Sequence, residues 1–548
     1  MLVFAAMPTR RQFLRRTGEA AALAVLAPQS LAIAASEPRG RASALLRGGS
    51  FAQGVLSGDP TPDGITLLTL LEGVSRAGSV RLEVARDPDF RRVVAREIIA
   101  TRGSVGHSVK ARIRGLKAHE RYYYRFETRD EQSRVGRFQT ALPPGSNEPV
   151  RFAFFSCSDY THGYYNAFEL MAREKDLDFV VNLGDYIYAE SYHTRKDGTG
   201  VRDDRIGSTS TGDTSVSRVA VSLDDYRDKY ALYRSDASLR KLHARVPIVS
   251  IWDDHEVVDN YAGGVRNGGL PAAKDAPAKR KRAGYQAFFE SMPFYPSGRS
   301  RIYRALPFGS TVDLIMLDQR QYRGDQPCND GVVPPCPGYD SPNPFLGRPQ
   351  MDWLKRRLES SKATWKVIGN ETLAMPAKVT GGSYVGFDSW QGYPVEREEL
   401  LSHIKARGIQ DVIFVTGDIH AFIAGDVRTA QGDGETVALE FVGGSITSTG
   451  FGETDLDIGG GQILKGNDAN PRTDPGVIAA LRGINPWVDA ADFDHHGYGV
   501  VRASKTEFDV SLKRVQTIKK RSLATLPDEL RYRVTPGQKT IKGVNGPA

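Results

Sequence analysis

At 548 residues the chain is too long for one ordinary hydrophobic core, so two or more domains are expected. Its composition, 40% hydrophobic and 25% charged, is ordinary for a soluble protein. The net charge of +8 is spread out, and its densest internal run, Lys279-Arg280-Lys281-Arg282, reads as a solvated face with no nucleic-acid module near it. DNA and RNA are therefore set aside as partners.

Residues 1–36 read as an address. Thr9-Arg10-Arg11-Gln12-Phe13-Leu14-Arg15 is a twin-arginine sequence, an apolar stretch runs from Ala20 to Ala34, and Ala32-Ile33-Ala34 is an A-x-A cleavage site. The signal is complete without Met1 to Ala6, so Met7 is an alternative start. The twin-arginine export machinery is thus an expected partner, and the location periplasmic or secreted. No later stretch is long and apolar enough for a transmembrane anchor.

Residues 37–145 are expected to be an all-β sandwich of the immunoglobulin or fibronectin kind. Strand candidates include Ile65 to Leu71, Val80 to Val84, His107 to Ile113 and Tyr122 to Glu127, with no cluster of catalytic groups. Pro143-Pro144-Gly145-Ser146 is a linker. From Val150 strands alternate with helices. Helices are expected at Tyr165 to Lys175, Leu223 to His243, Gly284 to Met292, Gln350 to Ser360 and Arg397 to Arg407. A long polar loop is expected from Glu190 to Ser222. The alternation argues for a larger α/β domain, 146–515, with sheets sandwiched by helices, followed by a basic tail, 516–548.

The chemistry gathers where buried strands end. Phe179 to Leu183 stops at Gly184, with Asp185 next and Tyr188 three residues on. Phe152 to Phe155 ends in Ser156-Cys157-Ser158. Pro247 to Trp252 ends in Asp253-Asp254-His255-Glu256, and Val412 to Val415 in Thr416-Gly417-Asp418-Ile419-His420. One aspartate after a strand is commonly a helix cap. Four strand ends that all carry ligand or acid–base side chains are poorly explained by four independent caps.

Carboxylates and phenolate suit iron or calcium, whereas thiolate and imidazole favour transition metals, so the mixture points to more than one metal. An adjacent pair of cations can bind a phosphoryl oxygen, acidify a water and stabilise the displaced oxygen. His255 could protonate a leaving alkoxide, with Asp254 beside it. No G-x-S-x-G elbow, P-loop or H-E-x-x-H helix occurs. A glycosidase-like carboxylate pair would leave Cys157, Tyr188 and His420 without a role.

With these residues in view, the chain resembles the PhoD-like alkaline phosphatases, a branch of the metallophosphatases related in active-site design to purple acid phosphatases. The matching segments run in order from Phe51 to about Val510. They include Gly54 to Pro60, Phe154 to Cys157, Gly184 to Tyr188, Tyr226 to Tyr233, Trp252 to Glu256, Leu317 to Arg323, Trp353 to Leu358, Gly417 to His420 and Gly443 to Ser448. The resemblance implies a trivalent iron, Fe(3+), with calcium, Ca(2+), beside it. Asp185 would bridge metals, Tyr188 and Cys157 would bind iron, and Asp418 and His420 would complete the set with Asp253 and Asp254. Arg320, Arg323 and Asn370 are candidates for supporting contacts. Three segments depart from the family pattern: Leu67 to Leu70, Asn370-Glu371, and Trp390-Gln391-Gly392-Tyr393, the last two near enough to affect a metal-side bond or substrate preference.

Two functions fit these residues. One is an exported metal-dependent phosphohydrolase, expected as a monomer, that cleaves small phosphomonoesters, phosphodiesters or both. A phospholipase D-like phosphodiesterase acting on phospholipid is its variant. The other is an exported binding protein on a degenerate phosphatase fold, against which the retained Cys157, Asp185, Tyr188, Asp418 and His420 argue. Cys328 and Cys336 flank a Pro- and Gly-rich loop that an exported protein can close as a disulfide. That leaves Cys157 either buried and inert or a ligand, and its strand-end position favours ligand. Thiol counting on the denatured, unreduced, metal-free protein should find one free thiol; three would refute the bridge.

Overall fold

A computed structural model describes residues 44–192, 201–209, 216–263, 278–329, 335–379, 382–453, 456–458, 461–464, 473–541 and 543–544. The expected signal segment, with the alternative start at Met7, lies outside the described residues. No helix among the described residues is long and apolar enough to cross a membrane.

Two large sheets carry the architecture. The first has nine strands in the spatial order Leu530–Val534, Phe508–Val515, His496–Ala503, Val150–Phe155, Phe179–Leu183, Ile248–Ile251, Val55–Thr61, Gly64–Leu70 and Ser108–Arg114. Within it Val150–Phe155, Phe179–Leu183 and Ile248–Ile251 run parallel, with Phe154 opposite Val181 and Val181 opposite Val249. The second has seven strands, ordered Arg304–Phe308, Val312–Met316, Trp365–Asn370, Val412–Thr416, Thr436–Gly443, Phe422–Arg428 and Val488–Asp492.

Period-2 alternation assigns the faces of the second sheet. Leu314, Met316, Val367, Ile413, Val415, Leu439 and Phe441 share one core with Phe152, Val501 and Val510 of the first sheet. Their neighbours Ile315, Ile368, Val412, Phe414 and Val442 point the other way, onto Leu354, Leu358, Leu400 and Ile404 of helices Arg348–Ser360 and Pro394–Ala406. Between the sheets, Phe508 lies 5.2 Å from Trp365 and 6.5 Å from Phe441, ring centre to ring centre. Phe168, Tyr230, Leu239 and Phe288 bring four more helices to the same core: Asn166–Met171, Leu223–Arg234, Ala237–His243 and Ala278–Ser291.

Several expectations are corrected. The single helix expected from Leu223 to His243 is two, because Asp236 leaves the helical conformation and caps a second helix by accepting the Ser238 N–H at 2.8 Å. The first of the pair starts at a capping box between Ser222 and Asp225. The loop expected from Glu190 to Ser222 holds a small sheet of Glu190–Tyr192, Ser208–Thr209 and Val216–Val219. The basic run at Lys279–Arg282 is not all solvated: Arg280 reaches Glu190 at 3.4 Å and Lys281 donates to the Gly263 carbonyl at 2.8 Å.

Among the described residues the N-terminal region has seven strands, including Val93–Thr101, whose charged Arg96 and Glu97 hid it in the sequence. Val80, Leu82, Tyr124 and Phe138 of the sheet formed by Gly78–Ala85, Val93–Thr101, Arg121–Glu127 and Gly136–Gln139 pack on Val55, Leu67 and Val109. Those last three belong to strands of the nine-stranded sheet, joined to it where Gly58 pairs with Ile248. One layer of the N-terminal unit is therefore continuous with the large sheet. At the other end, the expected tail supplies the edge strand Leu530–Val534, where Leu530, Tyr532 and Val534 are buried in alternation. Cys328 and Cys336 are bridged, with Cα atoms 5.4 Å apart, and Cys157 is free and buried.

Phe508 sits where both sheets meet, so Phe508→Ala should lower stability by about 3–5 kcal/mol. A urea midpoint unchanged from wild type would show that the inter-sheet core does not depend on it.

Candidate active site

Three of the four strand ends singled out in the sequence are neighbours in the first sheet; the fourth, after Val412–Thr416, comes from the second. Two glycines let them converge. Gly184 has φ +108°, and a Cβ there would lie 2.3 Å from the Asp253 Cβ. A Cβ on Gly417 would lie 2.6 Å from that of Ser156, so the two sheets touch here through bare backbone. Just beyond, Cys157, Asp185, Asp418 and His420 all adopt left-handed conformations, with φ between +51° and +65°. Non-glycine residues hold this conformation at a cost of about 1–3 kcal/mol each, and such strain clusters at functional sites.

The result is two donor sets that share one residue. Single ligand atoms of Cys157, Asp185 and His420 lie within 4.8 Å of one another, and so do those of Asp185, Asp254 and His255. The Tyr188 hydroxyl joins the first set, 3.2 Å from both Asp185 Oδ2 and His420 Nε2. His420 Nδ1 donates to the Thr449 carbonyl at 2.8 Å, which leaves Nε2 with its lone pair towards the site. The His255 ring stacks on Tyr188 at 4.0 Å, and its Nδ1 donates to Glu190 Oε2 at 2.9 Å.

Electrostatics fit a cation. Burial and then Asp185 push the Cys157 thiol and the Tyr188 phenol well above their usual ranges. Burial and then Asp254 do the same to Asp185, and burial and then Asp253 to Asp418. A buried set of thiol, phenol and carboxyls that repel one another's ionised forms is one that ionises against bound positive charge. Burial lowers His420 to about 4, so its imidazole is neutral, as a ligand must be. Burial opposes the charged form of His255, but Asp254, Asp185 and Glu190 outweigh it and raise its pKa.

The remaining expected residues divide differently. Neither donor set includes Asp253 or Asp418 among the described residues. Asp253 is ion-paired with the Arg320 Nε, and its pKa rises only to about 6, burial being opposed by that guanidinium. Arg320 and Arg323, both fully buried, converge on Asp388 at 2.6 Å each. Asn370 faces away: its Oδ1 accepts from Trp390 Nε1 at 2.9 Å and its Nδ2 donates to Thr416 Oγ1 at 3.0 Å. Gln391 spends its amide on the Ala377 N–H and the Val385 carbonyl, closing its own loop instead of reaching the site.

Four supports were not found from sequence. Glu256 accepts the backbone N–H of Asp185 (3.1 Å), Tyr186 (2.7 Å) and Asp253 (2.9 Å), so one buried carboxylate fixes two strand ends. Ser448 donates to the Tyr188 hydroxyl at 2.6 Å, Glu190 orients His255, and Asp388 braces both arginines. Glu190 and Glu256 stood inside the stretches already singled out. Asp388 gave no signal, because a lone aspartate in a loop resembles any turn residue.

The chain is similar to known proteins along most of its length. The profile of the PhoD-like phosphatase family matches residues 152–512, and that of the PhoD-like phosphatase N-terminal domain matches residues 36–142. Alkaline phosphatase D of Bacillus subtilis (strain 168) is 37% identical over 479 residues, which is 84% of this chain and 79% of that one. A solved structure of PhoD superposes with a TM-score of 0.79 at 32% identity, covering 93% of this chain and 94% of the other. A purple acid phosphatase from yellow lupin (Lupinus luteus) seeds shares the fold at 13% identity, with a TM-score of 0.51 over 86% of this chain and 72% of its own.

Partners that orient ligands are worth about 10–100-fold in metal affinity or activity. Glu256→Ala should therefore lose activity by about that factor, and Glu256→Gln, which keeps one oxygen acceptor, should lose less. Equal losses in the two variants would show that the backbone clasp is not what Glu256 supplies.

Proposed function

The chain belongs to the PhoD-like phosphatase family and is a phosphoric ester hydrolase, and from that premise we propose that it is an exported iron- and calcium-dependent enzyme. It would cleave small phosphomonoesters, phosphodiesters or both by attack of water. The observation that carries this reading is the pair of donor sets sharing Asp185. In this reading residues 37–145 are an immunoglobulin- or fibronectin-like module, 146–515 a helix-flanked central β-sandwich, and the chain acts as a monomer. Export is supported by the twin-arginine sequence at Arg10-Arg11 and by the Cys328–Cys336 bridge.

Cys157, Tyr188, Asp185 and His420 would hold trivalent iron, whose preference for phenolate and carboxylate they match. Asp185 and Asp254 would hold calcium, with Asp418 the further carboxylate. When bound, the pair of cations supplies Lewis acidity at the phosphoryl group and makes a water acidic enough to attack it. The chain's own residues do the rest. His255, kept protonated by Asp254, Asp185 and Glu190, gives a proton to the departing oxygen. Asp254 is held in register by the Asn260 N–H at 2.6 Å and by its own neighbour, the His255 N–H, at 3.0 Å. Arg320 holds Asp253, the strand-end residue before it, through Oδ1, which leaves the buried Oδ2 as the oxygen Asp253 would offer a cation.

The test combines turnover with a spectroscopic readout. The exported protein should release nitrophenol from a nitrophenyl phosphate ester and be coloured by tyrosinate-to-iron charge transfer. Tyr188→Phe should lose the band with the fold intact, whereas unchanged colour and metal content would remove Tyr188 from the iron site. A chelator should strip calcium before iron, abolishing activity while colour persists, and added calcium should restore it. Full activity after calcium removal, with iron still bound, would limit calcium to steadying loops. His255→Ala should lower turnover by about 100-fold or more without loss of either metal.

A further inference from the structure

A cavity of about 530 Å³ opens between the N-terminal sheet and the helix Ala237–His243, and no residue of the candidate active site lines it. Five cationic side chains face it: Arg134 and Arg137 from the N-terminal unit, Arg240 and Lys241 from the helix, and Arg245 just beyond it. Glu169 is the only acid in its lining among the described residues. Glu169 is already engaged by Lys241 at 2.5 Å and by Arg173 at 2.8 Å.

Of the other four cations, Arg240 and Arg137 are positioned without being neutralised. Arg240 Nη1 donates to the carbonyls of Arg234 at 2.9 Å and Ser235 at 2.8 Å. Arg137 Nε donates to the Arg245 carbonyl at 3.2 Å, beside the backbone bond from Arg137 N–H to the Ala244 carbonyl at 2.8 Å. These bonds orient guanidinium groups but bring no negative charge. Arg134 and Arg245 have no carboxylate partner among the described residues. Partial burial, then Arg240, lowers the pKa of Arg134, and partial burial, then Arg245 and Arg121, lowers that of Arg137. Both shifts come first from burial, and neighbouring like charge adds to them.

We propose that this cleft is a second binding site, for a small molecule that carries several tetrahedral oxyanion groups. Guanidinium forks match the paired oxygens of phosphate and sulfate groups. One monovalent anion would leave most of the excess charge uncompensated, and the cavity has the volume of a small-molecule site, well above that of a lone oxyanion. Phosphate esters and sulfate esters share this chemistry.

Sucrose octasulfate, which a phosphatase cannot consume, is the probe for calorimetry on the metal-loaded exported protein at low ionic strength. Wild type should bind it at one site, and the double variant Arg134→Gln/Arg245→Gln should bind at least about tenfold more weakly, a change of about 1.4 kcal/mol. Nitrophenyl phosphate turnover should be the same in both, because neither residue belongs to the active site. Val135→Asp, which sets a carboxylate in the exposed rim, should give the same loss and serves if the double variant does not fold. Competition then separates the sources: a sugar bisphosphonate, whose C–P bonds the enzyme cannot hydrolyse, should displace the probe with calcium in excess if phosphates are accepted, whereas displacement only by other polysulfates assigns the site to sulfate esters. Inorganic sulfate at equal charge should compete poorly. Equal affinity in wild type and variants, or no binding by wild type at about 1 mM probe, would overturn the proposal.

Discussion

The site depends on one buried carboxylate that is not itself a ligand. Glu256 accepts the backbone N–H groups of Asp185, Tyr186 and Asp253, and so locks together two adjacent strand ends that their own acidic side chains would drive apart. Burial raises the Glu256 pKa to about 7 against the pull of these N–H groups; even at about 0.5–1.5 kcal/mol net for each bond, three together offset the left-handed backbone at Asp185. Burial and then neighbouring aspartates push Asp185 and Asp418 up, and burial with Asp254 raises Asp253 against Arg320, whereas against its burial His255 and Arg320 hold Asp254 low. Arg320 relieves part of this repulsion from behind by pairing with Asp253 and Asp388.

A second constraint brings in the other sheet. Gly417 allows the end of Val412–Thr416 to approach Ser156 so closely that no side chain fits between. His420 then arrives against Tyr188, and the Thr449 carbonyl sets its tautomer. The loop that supplies Thr449 also supplies Ser448, and it is tied to the first sheet by N–H bonds from Thr447 and Ser448 to the Cys157 carbonyl at 3.2 Å each. One loop thus registers the two sheets against each other at the point where their chemistry meets.

Charge is handled in two ways in this chain. In the active site, acids are buried in excess and braced by backbone N–H groups and two buried arginines. At the seam between the N-terminal unit and the rest, cations are gathered in excess and braced by backbone carbonyls. The seam itself is firm, because the strands Val55–Thr61, Gly64–Leu70 and Ser108–Arg114 extend the nine-stranded sheet while packing on the N-terminal one.

By itself the sequence determined the strand–helix alternation and the four chemically loaded strand ends, because buried strands show as apolar runs and the candidate ligands stand immediately after them. It also determined the cysteine pairing and the membership that the ordered motifs carry. Only the tertiary structure decided which residues meet. Asp253 and Asp254 are adjacent in the chain, yet one turns to Arg320 and the other to Asp185, a choice set by a partner more than sixty residues away. Asn370 stood at a strand end like the others, but Trp390 and Thr416 claim its amide. The break at Ser235–Asp236, the sharing of a sheet by the N-terminal unit and the docking of Leu530–Val534 were equally hidden. Each depends on long-range pairing, and local periodicity carries no record of which distant edge a strand will join.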